Sequence, residues 1–268
     1  MQRWSGAVIV YAGRKEKAAA ASQQLAGFLT KFGLDVKVMS LNEFTANSKL
    51  VDGVLLLTLG GDGTLLRAVR KITNEQVYVL GINFGRSGFL CQVDPSQMFE
   101  SLEKILSGEP KVDEVMRIAL YDEGKHIADA LNEVLVSARV PGRVIEYSIT
   151  QGDELIRDLA DGVILSTPVG STAYAMSAGG PAVDERVEAV VIVPMASMRN
   201  LRPIILNAEE PLTVEIRKGD AQAVVDGHTT YLLQSRRLVI KKAETPIRFI
   251  RAEDRPFAKR LRKRMYKH

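Results

Sequence analysis

Cysteine is almost missing from this sequence: Cys91 is the only one in 268 residues. A disulfide framework is therefore excluded. The three histidines, His126, His228 and His268, lie far apart along the chain, so no Cys/His metal cage can be assembled from them. Any metal has to be a hard cation held by oxygens. Long apolar runs are missing too, and none approaches the roughly 20 residues that cross a bilayer. Residues 1–11 lack the charged lead and small-residue cleavage site of a secretory signal. The expected setting is cytoplasmic, with no membrane partner. Several familiar signatures are absent as well. There is no G-x-x-x-x-G-K-[ST], no G-x-G-x-x-G after the first apolar run, where Gly13 stands alone, and no G-x-S-x-G. These absences speak against a P-loop enzyme, a hydride-transferring dinucleotide enzyme and a serine hydrolase.

What is present is ordinary globular material, 46% hydrophobic and 25% charged, long enough for one large domain or two modest ones. The net charge of +4 comes from the C-terminus, where residues 255–268 (RPFAKRLRKRMYKH) carry seven Lys and Arg. Such a tail reads either as a solvated closing element or as an arm for RNA or polyphosphate; the first reading is favoured, and no nucleic acid partner is expected.

Along the first hundred residues strand and helix signals alternate, the pattern of a parallel α/β sheet. Ala7–Tyr11, Asp35–Met39, Val54–Leu59 and Val77–Ile82 read as strands, and Lys15–Phe32, closed by Gly33, as a helix. Thr64–Ile72 reads as a second helix with Leu65, Leu66 and Val69 inward. After about Gly108 short alternating segments are separated by turns such as Asp122-Glu123-Gly124, Gln151-Gly152-Asp153 and Lys218-Gly219-Asp220, which predicts an antiparallel β-sandwich. The expected fold is a Rossmann-like parallel α/β domain at 1–106, a β-sandwich domain at 107–251, and a basic tail at 252–268 returning to the first domain.

The sharpest motif is Gly60-Gly61-Asp62-Gly63-Thr64, set between an apolar strand and a helix. Glycines bring backbone close to a ligand, and amides opening a helix favour phosphate. A carboxylate there repels phosphate unless it has other work, so Asp62 reads as a base for an acceptor hydroxyl or as a Mg²⁺ ligand; the bland alternative is a helix cap. Arg67, one turn on, is placed to reach a phosphate. Asn132-Glu133 combines an amide with a carboxylate able to accept from two vicinal hydroxyls, which suits a base edge or a ribose diol. Ser166, Thr167, Ser171 and Thr172, beside Gly170, Gly179 and Gly180, read as neutral donors for phosphates or sugars, and Tyr174 as a flat face for a ring.

GGDGT resembles the signature shared by NAD kinases, diacylglycerol and sphingosine kinases and, more distantly, phosphofructokinases. The stretches ALNEVLVSA and DGVILSTPVGSTAYAMSAGGP (161–181) narrow the resemblance to the NAD kinase family, in matching order over roughly residues 55–196. That resemblance implies transfer of the terminal phosphoryl group of ATP or polyphosphate to the 2′-hydroxyl of the adenosine ribose of NAD, with Mg²⁺ or another divalent cation. It implies Asp62 as general base, Gly60, Gly61, Gly63 and Thr64 around substrate, and Asn132, Glu133, Asp161, Thr172, Ala173, Tyr174, Ser177 and Ala196 against NAD. It also implies a homodimer or homotetramer. The sequence departs from the pattern at His228, where many relatives carry Gln, and at Leu159, where some carry a basic residue. Two other readings stay open: a lipid or sugar kinase sharing GGDGT alone, and a catalytically idle dinucleotide sensor.

Overall fold

The computed structural model describes residues 4–47, 53–73, 76–85, 88–252 and 256–266. Of the basic tail, Arg255, Lys267, His268 and the side chains of Lys263 and Arg264 lie outside the described residues. Contacts divide the chain into two units, 1–115 with 245–268, and 116–244.

The first unit runs β1 (Gly6–Tyr11), α1 (Glu16–Lys31), β2 (Asp35–Ser40), α2 (Leu41–Asn47), β3 (Val54–Gly60), α3 (Asp62–Val69), β4 (Val77–Asn83), α4 (Met98–Ser107) and β5 (Lys111–Val115). The second runs β6 (Ile118–Asp122), β7 (Lys125–Ala130), β8 (Glu133–Ala138), β9 (Ile145–Gln151), β10 (Asp153–Ala160), β11 (Gly162–Ser166), a one-turn α5 (Tyr174–Ser177), β12 (Ala189–Met195), β13 (Ile204–Asn207), β14 (Leu212–Lys218), β15 (Ala221–Val225), β16 (Thr229–Leu232) and β17 (Arg237–Lys242). The chain then returns to the first unit with β18 (Ile247–Arg251) and α6 (Phe257–Met265).

The first sheet has the order β2-β1-β3-β4-β18-β5, parallel except for the antiparallel edge pair β18–β5. Strand order reverses on either side of β1, which makes the crevice outside the carboxyl ends of β1 and β3 the natural ligand position. Helix α1 is alanine-rich and buries Ala18, Ala21, Ser22, Leu25 and Leu29, one face at helical spacing. It ends where Gly33 takes φ +81. Helix α3 turns Thr64, Leu65, Ala68 and Val69 inward, with Leu66 only half-buried. Helix α2 starts at a reciprocal cap: Glu43 N–H donates to Ser40 Oγ (3.3 Å) while Ser40 N–H donates to Glu43 Oε2 (2.7 Å).

The second unit is a sandwich of two antiparallel sheets, ordered β10-β9-β14-β17-β6-β7 and β13-β12-β11-β8-β15-β16. Its core interleaves Ile118, Leu120, Tyr147 and Val214 from one sheet with Val134, Val136, Val163 and Ile192 from the other. The opposite face of β11 is covered as well, since Ile164 packs with Ala175, Val183, Val191 and Val193. Every residue of β11 is therefore buried, which is why its sequence shows no alternation. The unit boundaries fall several residues from those suggested by turn chemistry. The physical reason is that β5 and β18 pair antiparallel with each other and carry an alternating pattern, yet extend the first sheet.

Candidate active site

In the first unit the chain leaves β3 at Gly60, turns through Gly61 and enters α3 with Asp62. A Cβ on Gly60 would stand 2.6 Å from Thr64 Cβ, so only glycine lets the helix fold this tightly onto the strand. The neighbouring strand ends level with it: Gly60 pairs with Asn83, and Phe84 N–H donates to Gly60 O at 2.7 Å. Three consecutive amides then meet the Asp62 carboxylate. Phe89 N–H donates to Oδ2 at 2.7 Å, and Leu90 and Cys91 N–H donate to Oδ1 at 3.1 and 3.0 Å. These charge-assisted bonds fix the plane of a half-buried carboxylate, while Oδ2, with a single amide against it, keeps acceptor capacity toward a ligand.

The surroundings suit that task. Lys15 donates from Nζ to Phe84 O at 2.7 Å, which puts a cation on the same edge of the sheet. Burial first, and the charge of Asp62 second, push the Cys91 thiol well up, so it does not compete as a nucleophile. The Phe89 ring lies beneath the Arg260 guanidinium, 4.8 Å from ring centre, and edge-on to Phe257 at 6.2 Å. The tail helix α6 thus packs on the loop that grips Asp62. Arg67 donates to Asn42 Oδ1 at 3.4 Å.

These residues do not form an all-protein metal cage: among the described residues no three His, Cys, Asp or Glu side chains stand close enough to hold an ion.

In the second unit Asn132 and Glu133 open β8 and are both buried. On one side lies the end of β11: Thr167 N–H donates to Asn132 O (2.8 Å), Ser166 Oγ donates to the same carbonyl (3.1 Å), and Thr167 Oγ1 donates to Leu131 O (2.6 Å). Gly170 lies so close that a Cβ there would come within 2.6 Å of Asn132 Cα. On the other side, past β15, Asp226 N–H donates to Glu133 O at 2.9 Å, and the Asp226 carboxylate accepts N–H bonds from Leu131 (3.2 Å), Asn132 (2.7 Å) and Glu133 (3.3 Å). Burial, and then the charge of Asp226, push the Glu133 carboxyl up to about 8.

The structure brings Asn132 and Glu133 together with the turn of residues 166–177, which carries Thr172, Ala173, Tyr174 and Ser177. Tyr174 and Ser177 are exposed there and Ala173 half-buried. The hydroxyls of that turn face inward: Ser166, Thr167, Ser171 and Thr172 are all buried, and each donates to a backbone carbonyl, Ser171 to Pro168 O and Thr172 to Val169 O. These bonds hold the turn's shape. Asp161 and Ala196 sit at the other end of β11, where Asp161 N–H donates to Met195 O at 3.1 Å. Glu133 is level with Ser166 and Asn132 with Thr167, so five to six residue steps at about 3.3 Å each put the two groups about 17–20 Å apart. Ala196 is held at φ +51, an unusual conformation for alanine. His228 is exposed on its turn. Sequence reasoning missed Asp226, Lys15 and the amides of 89–91. Amides carry no side-chain signature; Asp226 had one, an Asp-Gly pair closing an alternating run.

A carboxylate gripped by backbone at the carboxyl end of a parallel sheet, with a buried Asn-Glu step in an appended sandwich, defines a nucleotide-directed phosphotransferase of the GGDGT type. The family models agree: the ATP-NAD kinase N-terminal domain matches residues 18–110 and the ATP-NAD kinase C-terminal domain residues 131–252. The chain belongs to the NAD kinase family. It is 35% identical over 262 residues to the NAD kinase of Methanothermobacter thermautotrophicus, covering 93% of this chain and 92% of that one. Its identity to the NAD kinase of Methanoregula boonei is 39% over 215 residues, 79% of this chain and 76% of the other. Among solved structures, an NAD kinase from Archaeoglobus fulgidus in complex with ATP superposes with a TM-score of 0.81 at 28% identity, covering 96% of this chain and 98% of that one. Yeast NADH kinase, at 22% identity and a TM-score of 0.83 over 99% of this chain and 88% of the other, shares the fold.

Proposed function

We propose that the chain catalyses the reaction of its family, transfer of the terminal phosphoryl group of ATP to the 2′-hydroxyl of the adenosine ribose of NAD to give NADP, with Asp62 as general base. The observation that carries the role of Asp62 is its three-amide grip. Phosphoryl transfer asks a protein chiefly for positioning and charge management, and a carboxylate whose orientation is set before substrate arrives need not reorient to meet the acceptor hydroxyl. The first-turn backbone of α3 with Gly60, Gly61, Gly63 and Thr64, together with Arg67, faces the donor phosphates. Asn132, Glu133, Thr172, Ala173, Tyr174 and Ser177 bind NAD. Magnesium, when it takes part, accompanies the phosphates of the donor, as a cation that keeps much of its water shell does. The setting is cytoplasmic, where a lone buried cysteine stays reduced; among the described residues no helix is long and apolar enough to cross a membrane.

The roughly 20 Å between Asn132 and Asp161 along β11 supports a site completed by a second copy of the chain, in a homodimer or homotetramer, with Asp161 and Ala196 supplied across the contact.

Replacing Asp62 with Asn tests the base. Its amide cannot take the proton and sets an NH₂ among the N–H donors of 89–91, so turnover falls by at least about 100-fold while NAD affinity stays within a few-fold. NADP formation, read by a dehydrogenase specific for it with ATP or polyphosphate as donor, and NAD titration calorimetry give the two numbers. Unchanged turnover removes Asp62 from the role.

A further inference from the structure

We propose that Asp226 is a positioning residue for NAD: from the turn after β15 its carboxylate holds the backbone of Leu131, Asn132 and Glu133 and so aims the Asn132 and Glu133 side chains at the substrate. This rests on the reading of Asn132-Glu133 as the NAD-binding step.

One feature of Asp226, the reach of its side chain, goes beyond what a hairpin needs. The turn between β15 and β16 requires only backbone, and its own closure is made by His228 N–H donating to Val225 O at 3.1 Å. The Asp226 side chain instead crosses to the neighbouring strand and collects three consecutive amides at 2.7–3.3 Å, those of Leu131 and Asn132 just before β8 and of Glu133 at its first position. Asp226 at φ +50 and Gly227 at φ +61 form the tight Asp-Gly turn of the hairpin, so the backbone conformation belongs to the turn and only the side chain's crossing to the neighbouring strand is left to explain.

The consequence reaches Glu133. Its Oε2 is buried with no protein partner among the described residues, and Gly227 borders its other oxygen, so a Cβ on Gly227 would stand 3.9 Å from Oε1. A buried carboxyl oxygen with no protein partner is a position prepared for a ligand's hydroxyl. The groups facing it are few. From the β15–β16 turn comes Asp226, whose charge joins burial in pushing the carboxyl up to about 8. From β11 come the neutral hydroxyls of Ser166 and Thr167, both turned to backbone carbonyls. Behind Asp226 lies buried Arg117, paired with Asp129 at 3.3 Å, and Asp129 in turn meets His126 Nε2 at 2.7 Å. NAD affinity therefore carries an inflection near pH 8, where Glu133 ionises, and Asp226 helps set its position.

Asp226→Asn is the test, because Asn keeps the left-handed turn while exchanging one acceptor for an NH₂ and removing the charge. The expected result is a 10- to 100-fold loss of NAD affinity, the scale of one broken charge-assisted bond, with kcat at saturating NAD kept within a few-fold. The inflection in NAD affinity moves to lower pH. Asp226→Ser, which keeps one acceptor for the Asn132 amide, gives the same two shifts should the Asn variant fold poorly. A folded variant with parental NAD affinity and parental inflection overturns the proposal, and so does a lowered Tm without either shift, which marks Asp226 as a plain turn residue. Glu133→Gln, run alongside, separates the levels. If it leaves NAD affinity and the inflection untouched, the Asn-Glu reading itself fails; if it changes both while Asp226→Asn changes neither, only the positioning role fails.

Discussion

Glu133→Gln is expected to stabilise the folded chain as it weakens NAD binding. In the unfolded chain a glutamate titrates near its ordinary 4.5, whereas in the fold burial and Asp226 raise Glu133 to about 8. Between those values the folded state binds a proton that the unfolded state does not, so stability falls as pH rises through the window. The penalty is absent below 4.5, grows by 1.36 kcal/mol per pH unit, and is complete above 8 at about 5 kcal/mol; at pH 7 it is about 3 kcal/mol. Glutamine has nearly the same shape and no charge, and therefore escapes the penalty. Relative to the parent it gains nothing at pH 4, about 3 kcal/mol at pH 7 and about 5 kcal/mol at pH 9, upper figures because a buried site relaxes and admits water around a charge. Urea unfolding of both proteins at pH 5, 7 and 9 reads the difference directly, and calorimetry at the same pH values reads NAD. A stability difference that stays constant from pH 5 to 9 refutes the reasoning, because it means that Glu133 titrates alike in both states.

Two further changes probe the rest of the site. Arg260→Ala removes the cation over Phe89 and should cost about 1–2 kcal/mol of stability with a several-fold drop in kcat at unchanged NAD affinity, Arg260→Lys falling between; a lowered Tm with parental kcat would sink the link from α6 to the Asp62 loop. Mixing Asp62→Asn with Asp161→Asn protein and allowing the copies to exchange should restore part of the activity that neither has alone, because one site in the mixed assembly is then intact; no recovery, or a monomer by sedimentation, disproves a shared pocket.

Much of this was legible in the residues, for reasons that differ from element to element. Strands β1, β3 and β4 are covered on both faces, so they stand out as apolar runs, and the glycine turn after β3 fixes where α3 begins. Helices α2 and α4 escaped notice because each is short and follows closely on other structure. Yet Ser40 and Glu43 stand at capping-box spacing, and Asp94-Pro95 marks the turn into α4, where Ser96 N–H donates to Asp94 Oδ1 at 3.0 Å. The two domain types were legible from the change of period after Gly108, and a return of the tail at 252–268 to the first domain was expected, but the joining of β18 to the first sheet was not. A five-residue strand carries no mark of which sheet it will join. Motif residues carry a signature in the sequence; their hydrogen-bond partners carry none, because the partners are mostly backbone.

The two units divide the chemistry between backbone and side chains. Asp62 is positioned by the amides of Phe89, Leu90 and Cys91, and those amides are placed by close backbone packing in which side chains have no room. A Cβ on Gly85 would stand 3.1 Å from Gly61 Cα, and one on Gly88 would come within 3.2 Å of the Asn83 side chain. Backbone packed this tightly has few alternative arrangements and needs little reorganisation when charge moves, which is what proton abstraction from a hydroxyl requires. The second unit is built the other way. The groups proposed to meet NAD are side chains, those of Asn132, Glu133 and Tyr174, and the backbone that carries Asn132 and Glu133 is held from behind by the hydroxyls of Ser166 and Thr167 and by the carboxylate of Asp226. Substitutions in the glycine loops are therefore expected to act on turnover, and substitutions around Asp226 on which nucleotide is held and how tightly, a separation that kcat and KM resolve without any further structure.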